Sequence, residues 1–117
     1  MRTWLLVLLA LALAGCGPAS APTRPADITG IVTRVSAGTG GLQLLVEENP
    51  SDTAGSAKAS VRTDASTHWF ITGGGAFDPS QLKQGMRVSV WFDGPVATSY
   101  PVQAKASDIV VLALPGP

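Results

Sequence analysis

Met86 to Asp93 alternates without a break. Met86, Val88, Val90 and Phe92 fall on one side of an extended chain, and Arg87, Ser89, Trp91 and Asp93 on the other. A period of two fits a β-strand with one face on a core and does not fit a helix, whose apolar residues recur every three or four positions. It predicts an inner face made of Met86, Val88, Val90 and Phe92.

Other short runs of the same kind lie between turn residues. Ile28 to Val35 is rich in β-branched side chains and ends before Ser36-Ala37-Gly38-Thr39-Gly40-Gly41, which reads as a flexible loop. Leu42 to Glu48 alternates again, and Asn49-Pro50-Ser51-Asp52 opens a polar connection as far as Ser56. Ala57 to Thr63 is a weaker segment, which Thr67 to Thr72 continues after a turn at Asp64. Beyond Gly73-Gly74-Gly75, Asp78 suits a helix cap, Pro79 its first position and Gln81 the capping-box partner. Leu82 supplies one buried contact, and Gly85 suits the left-handed stop of a helix of one to two turns. After Gly94 and Pro95 the last strand runs from Val102 to Leu114. Its alternation slips between Ala106 and Ile109, as a bulge requires.

Three strands, a short helix and two strands is the order of a small five-stranded Greek-key barrel of the OB type, with the helix between strands three and four. A small open antiparallel sandwich is the competing all-β arrangement. With one cysteine, Cys16, no internal disulfide can form, so packing and sheet hydrogen bonds must hold the domain.

The N-terminus has a different character. Arg2 precedes an uncharged apolar run, Trp4 to Ala14, too short for the roughly 20 residues that a spanning helix needs. It reads as an export signal. Leu13-Ala14-Gly15-Cys16 resembles the lipobox of bacterial lipoproteins, which implies cleavage before Cys16 and acylation of its thiol. Two acyl chains give durable attachment where one gives marginal binding. Gly17, in place of an aspartate, implies outer-membrane sorting in a two-membrane organism. The expected organisation is a signal at 1–15, an acylated cysteine and tether at 16–26, and a β domain at 27–114. Three prolines between Gly17 and Ala26 suit a spacer of up to ~30 Å, or a stub of no required length.

The chain carries 8 basic and 8 acidic residues, and the cleaved form loses Arg2. That near-neutral balance argues against a nucleic-acid partner, since such binding rests on basic surfaces. Further along, Ile28-Thr29-Gly30-Ile31-Val32, Leu45-Val46-Glu47-Glu48, Leu82 to Trp91 and Trp91 to Ala104 resemble a small secreted YobA-like bacterial family. The resemblance implies a β fold and supplies no chemistry.

Catalytic patterns are not found. Glu47 and Glu48 are adjacent on a strand and point to opposite faces, so they do not form an acid/base pair. His68 is the sole histidine and has no cysteine in the mature chain to ligate metal with beyond the acylated one, and Gly73 to Gly75 lacks the lysine of a phosphate loop. The sequence therefore predicts no enzyme, no cofactor and no metal site. Trp91, Ser99 and Tyr100, at the loop Asp93 to Pro101, are the candidate ligand-binding residues, and ordinary packing is the competing role for these rings. The expected function is that of a membrane-anchored, non-catalytic binding module for an envelope protein, peptide or cell-wall glycan. Two alternatives are a structural accessory lipoprotein with no small ligand and, more remotely, an envelope hydrolase.

Overall fold

The computed structural model describes residues 21–51 and 56–113. The signal segment, Cys16 and Leu114 lie outside the described residues. The chain forms six strands: β1 (Ile28–Gly38), β2 (Gly41–Glu47), β3 (Lys58–Arg62), β4 (His68–Ile71), β5 (Arg87–Ala97) and β6 (Val102–Ala113). They make one sheet in the order β3-β2-β1-β5-β6-β4, with β3 also pairing β6. Strand pairing therefore runs from β1 through β2, β3, β6 and β5 back to β1. The β3–β6 and β4–β6 pairs are parallel and the rest antiparallel.

The alternating residues of these strands fill the space inside that circuit. Val32, Leu44, Val46, Val61, Val88, Val90, Ile109 and Val111 are its largest fully buried side chains. Met86, Val88 and Val90 face inward as the alternation predicts, while Phe92 is only half-buried against the core's edge. Leu82 is buried beside Met86.

Three of the expected elements differ. In place of five strands there are six, because the third is interrupted. β3 pairs with Val102–Lys105 and β4 with Asp108–Val111, in tandem along one edge of β6. Thr67 spans the gap: its hydroxyl donates to the Ala106 carbonyl at 2.9 Å and accepts from the Asp64 amide at 3.1 Å. The break coincides with the slip in β6. Trp91 pairs Asp108 and Phe92 pairs Ala106, so Ser107 is the extra, bulged residue.

The expected helix is a single 3₁₀ turn, Pro79–Gln81. Asp78 caps it, accepting from the Ser80 amide at 2.9 Å, and Pro79 occupies its first turn. It stops there because the chain must next lie beside β1. The Gly85 amide donates to the Val32 carbonyl and the Val32 amide to the Met86 carbonyl. Too few residues remain for the cooperative turns of an α-helix. The 3₁₀ turn has already ended at Leu82, which is extended, so Gly85 is not its stop; at φ of 94° it sits instead in the tight turn that the Met86 amide closes on the Lys83 carbonyl.

The segment Ser36 to Gly41 is likewise not a loose loop. β1 and β2 pair as far as Gly38 and Gly41, leaving Thr39-Gly40 as a two-residue hairpin turn with Gly40 at φ 80°.

Candidate functional site

Register defines what the outer surface of β4, β5 and β6 presents. Trp91 pairs Asp108, which pairs His68, and Ser89 pairs Val110, which pairs Phe70. Directly paired residues share a face, so Trp91, Val110 and Phe70 belong to one outer apolar strip. β5 is consequently buried on both faces from Val88 to Trp91. Ser89, on the outer side, is satisfied by the Thr29 hydroxyl at 2.7 Å.

The cover over the Trp91 end of this strip is residues 21–27 of the chain itself. The Trp91 indole nitrogen donates to the Arg24 carbonyl at 2.9 Å. The Asp27 amide donates to the Val90 carbonyl, and the Asp27 carboxylate accepts from the Phe92 amide at 2.7 Å and from the Arg24 guanidinium at 3.2 Å. Residues 21–26, which the sequence suggests as spacer, thus lie against the sheet as a strap. Trp91 is left 7% exposed.

Where the strap reaches Ala21 it meets an open groove of about 940 Å³. Trp91, Val110, Phe70 and Leu112 contribute to its lining, and the wall is the loop Gly73 to Phe77 along the free edge of β4. That loop is pinned by the Ile71 amide on the Gly75 carbonyl and the Phe77 amide on the Trp69 carbonyl. Gly73, Gly74 and Gly75 all have φ near 100°, in space where an added Cβ would meet nothing within 4 Å. Trp69 and Phe77 stack loosely on the inner side, 6.2 Å apart. At the groove's polar end His68 lies 3.5 Å from the Asp108 carboxylate.

A family comparison covers most of this architecture. The family described as "Protein of unknown function (DUF3221)" matches residues 29–113. The chain belongs to the DUF3221 family. The match takes in all of β2 to β6, nearly all of β1, and the groove except for its strap. No curated protein and no solved structure matches the chain.

The three candidate residues of the loop Asp93 to Pro101 are not brought together. Trp91 packs under the strap and borders the groove, apart from the hairpin tip that carries Ser99 and Tyr100. β5 continues as strand to Ala97, leaving only Thr98 to Pro101 as the hairpin tip. There Tyr100 is 59% exposed, the most exposed of the large hydrophobic side chains described. Its hydroxyl donates to the Ser56 carbonyl at 3.0 Å, and the Lys58 ammonium lies 5.7 Å from the ring centre. The Ser99 hydroxyl donates to the Pro101 carbonyl at 3.0 Å.

Charged groups elsewhere act as braces. Lys105 reaches Asp64 at 3.0 Å and Asp93 at 3.7 Å, tying the β3–β4 turn to β5. The Ser66 hydroxyl and then Lys105 hold the Asp64 carboxyl down to about 2. The Thr33 hydroxyl, 2.6 Å away, is the main group lowering Glu47, with Lys58 adding to it. Among the described residues no three His, Cys, Asp or Glu side chains converge on a metal position.

The groove was the feature hardest to foresee from the sequence. Its signal is the unbroken apolar run Ile109-Val110-Val111-Leu112, which marks a strand buried on both faces.

Proposed function

We propose that this DUF3221 chain is an acylated envelope lipoprotein whose domain binds a partner and performs no reaction, and that its sheet is an OB-like barrel. The circuit of pairings, with β3 parallel to the last strand, supports the barrel reading. Leu13-Ala14-Gly15-Cys16, after its short apolar run, supports the anchor, and the resemblance to YobA-like secreted proteins agrees with export.

The observation that carries the binding reading is Tyr100. An aromatic ring so exposed has little role in the core, yet its hydroxyl and its face are both engaged by Ser56 and Lys58. A ring held in one orientation loses little freedom on docking, which is what an anchor for a peptide segment or a sugar face requires. Ser99 beside it adds a hydroxyl to the same tip.

Photo-crosslinking from position 99 in intact cells, with a cell-wall pull-down in parallel, tests this reading. A discrete partner or retained glycan is expected, lost on Tyr100→Ala by a hot-spot amount of about 2 kcal/mol. Equal crosslinking by Tyr100→Ala, or none from either chain, overturns the partner site. Intact mass of the exported protein tests the anchor: lipid on Cys16 is expected, and Cys16→Ser should retain the signal.

A further inference from the structure

The groove is walled by the hairpin that follows β4. From Trp69 to Phe77 there are nine residues without a charge, four of them large and apolar, bounded by His68 and Asp78. The glycine tip stands in open space, and Ile71 is 38% exposed, an unusual position for isoleucine on a small domain. Such a tip has no neighbour in the fold to bury it.

The strap says what is near. It is fixed to β5 through Arg24 and Asp27, and its first described residue, Ala21, borders the groove. Only five residue steps separate Ala21 from Cys16, a reach of at most roughly 18 Å even fully extended. A lipid on Cys16 therefore holds the bilayer surface within that reach of the groove's strap end.

We infer that the β4–glycine hairpin, residues 69–77, is a second membrane contact that dips into the bilayer interface beside the lipid anchor. This rests on the acylation proposed above. The side-chain chemistry fits: Trp69 and Phe77 pack against the core, Phe70 and Ile71 remain for the interfacial zone, and an uncharged glycine tip brings no ion into the acyl region. Two attachments fix an orientation where one permits free rotation. The Tyr100 hairpin, at the opposite end of β6 from the residues that pair β4, then projects away from the lipid.

The test uses the mature acylated protein reconstituted into phosphatidylcholine vesicles. Acylation consumes the native thiol, so Ala76→Cys or Thr98→Cys gives a single reactive position for an environment-sensitive fluorophore. With lipids brominated along their acyl chains, quenching at position 76 is expected to exceed that at 98 severalfold. Adding Ile71→Asp should reduce the signal at 76 to that at 98, while mass still shows lipid on Cys16. Equal quenching at the two positions on an acylated chain, or stronger quenching at 98, overturns the inference and leaves the anchor standing. A chain without lipid on Cys16 overturns both, and the mass measurement distinguishes the cases. The comparison of 76 with 98 decides the matter even where Ile71→Asp impairs folding.

Discussion

Replacing Trp91 tests whether the leading strap belongs to the fold. The ring is 7% exposed and lies between β5 and the strap, with its nitrogen on the Arg24 carbonyl. Truncating a buried tryptophan to alanine costs about 3–5 kcal/mol. Because a strap of single-chain thickness relaxes more easily than a core, the lower end applies, about 3 kcal/mol. A 1 kcal/mol loss lowers Tm by roughly 4–8 °C in a domain of this size, so Trp91→Ala should melt at least ~12 °C lower. Trp91→Phe keeps most of the apolar area and removes the hydrogen bond, for a loss of about 1 kcal/mol. Tyr100→Ala, on an exposed ring, should stay within about 0.5 kcal/mol. Urea and thermal unfolding of a soluble form beginning at Gly17 measure all three, and limited proteolysis at Arg24 reports the strap directly. A Trp91→Ala loss below about 1 kcal/mol would show that the strap and ring are dispensable.

Three further outcomes follow from local geometry. Asp64 titrates near 2 when folded and near 3.8 in a free chain, so its stabilising effect is complete above pH 4 and disappears as pH falls toward 2; Asp64→Asn should flatten the acid limb of a Tm-versus-pH curve, and an unchanged limb would remove this brace from the account. A Cβ on Gly30 would collide with the Glu47 carbonyl, which is backbone and cannot step aside, so Gly30→Ala should open the β1–β2 ladder, read as lost amide protection from Thr33 to Glu47. Thr67→Val keeps its shape yet leaves the Asp64 amide and the Ala106 carbonyl unpaired; a loss of about 1–3 kcal/mol is expected in denaturant unfolding, and a neutral result would mean that water replaces the hydroxyl.

Elements governed by local periodicity were legible in the sequence. The inward set Met86, Val88 and Val90, the buried Leu82 and the slip in β6 all depend on residues close in the chain. What escaped depends on contacts between distant segments. Ser89 and Trp91 occupy polar-face positions of the alternating strand, yet they are buried, because the strap crosses Trp91 while Thr29 and Val110 flank Ser89 in the neighbouring strands. The 3₁₀ turn is short because β1 captures Gly85 and Met86, a demand visible only once the strands are side by side. β4 separates from β3 because Thr67 meets the bulge at Ser107, forty residues away. At the candidate site, Tyr100 is as exposed as a loop aromatic suggests, while Trp91 is removed from it by a segment whose prolines imply a spacer.

Every parallel contact in the sheet uses β6. β3 and β4 share one of its edges and β5 lies along the other, so the final strand is the common partner of three earlier ones. The first three strands form a local meander, but their circuit closes only when residues 102–113 are present. A chain emerging from its N-terminus presents this strand after the other five. Until then the nascent domain holds open edges and no finished core, and stable structure arises in one late, long-range step. Under the export proposed above, this order keeps the domain loose enough to be threaded until β6 has crossed.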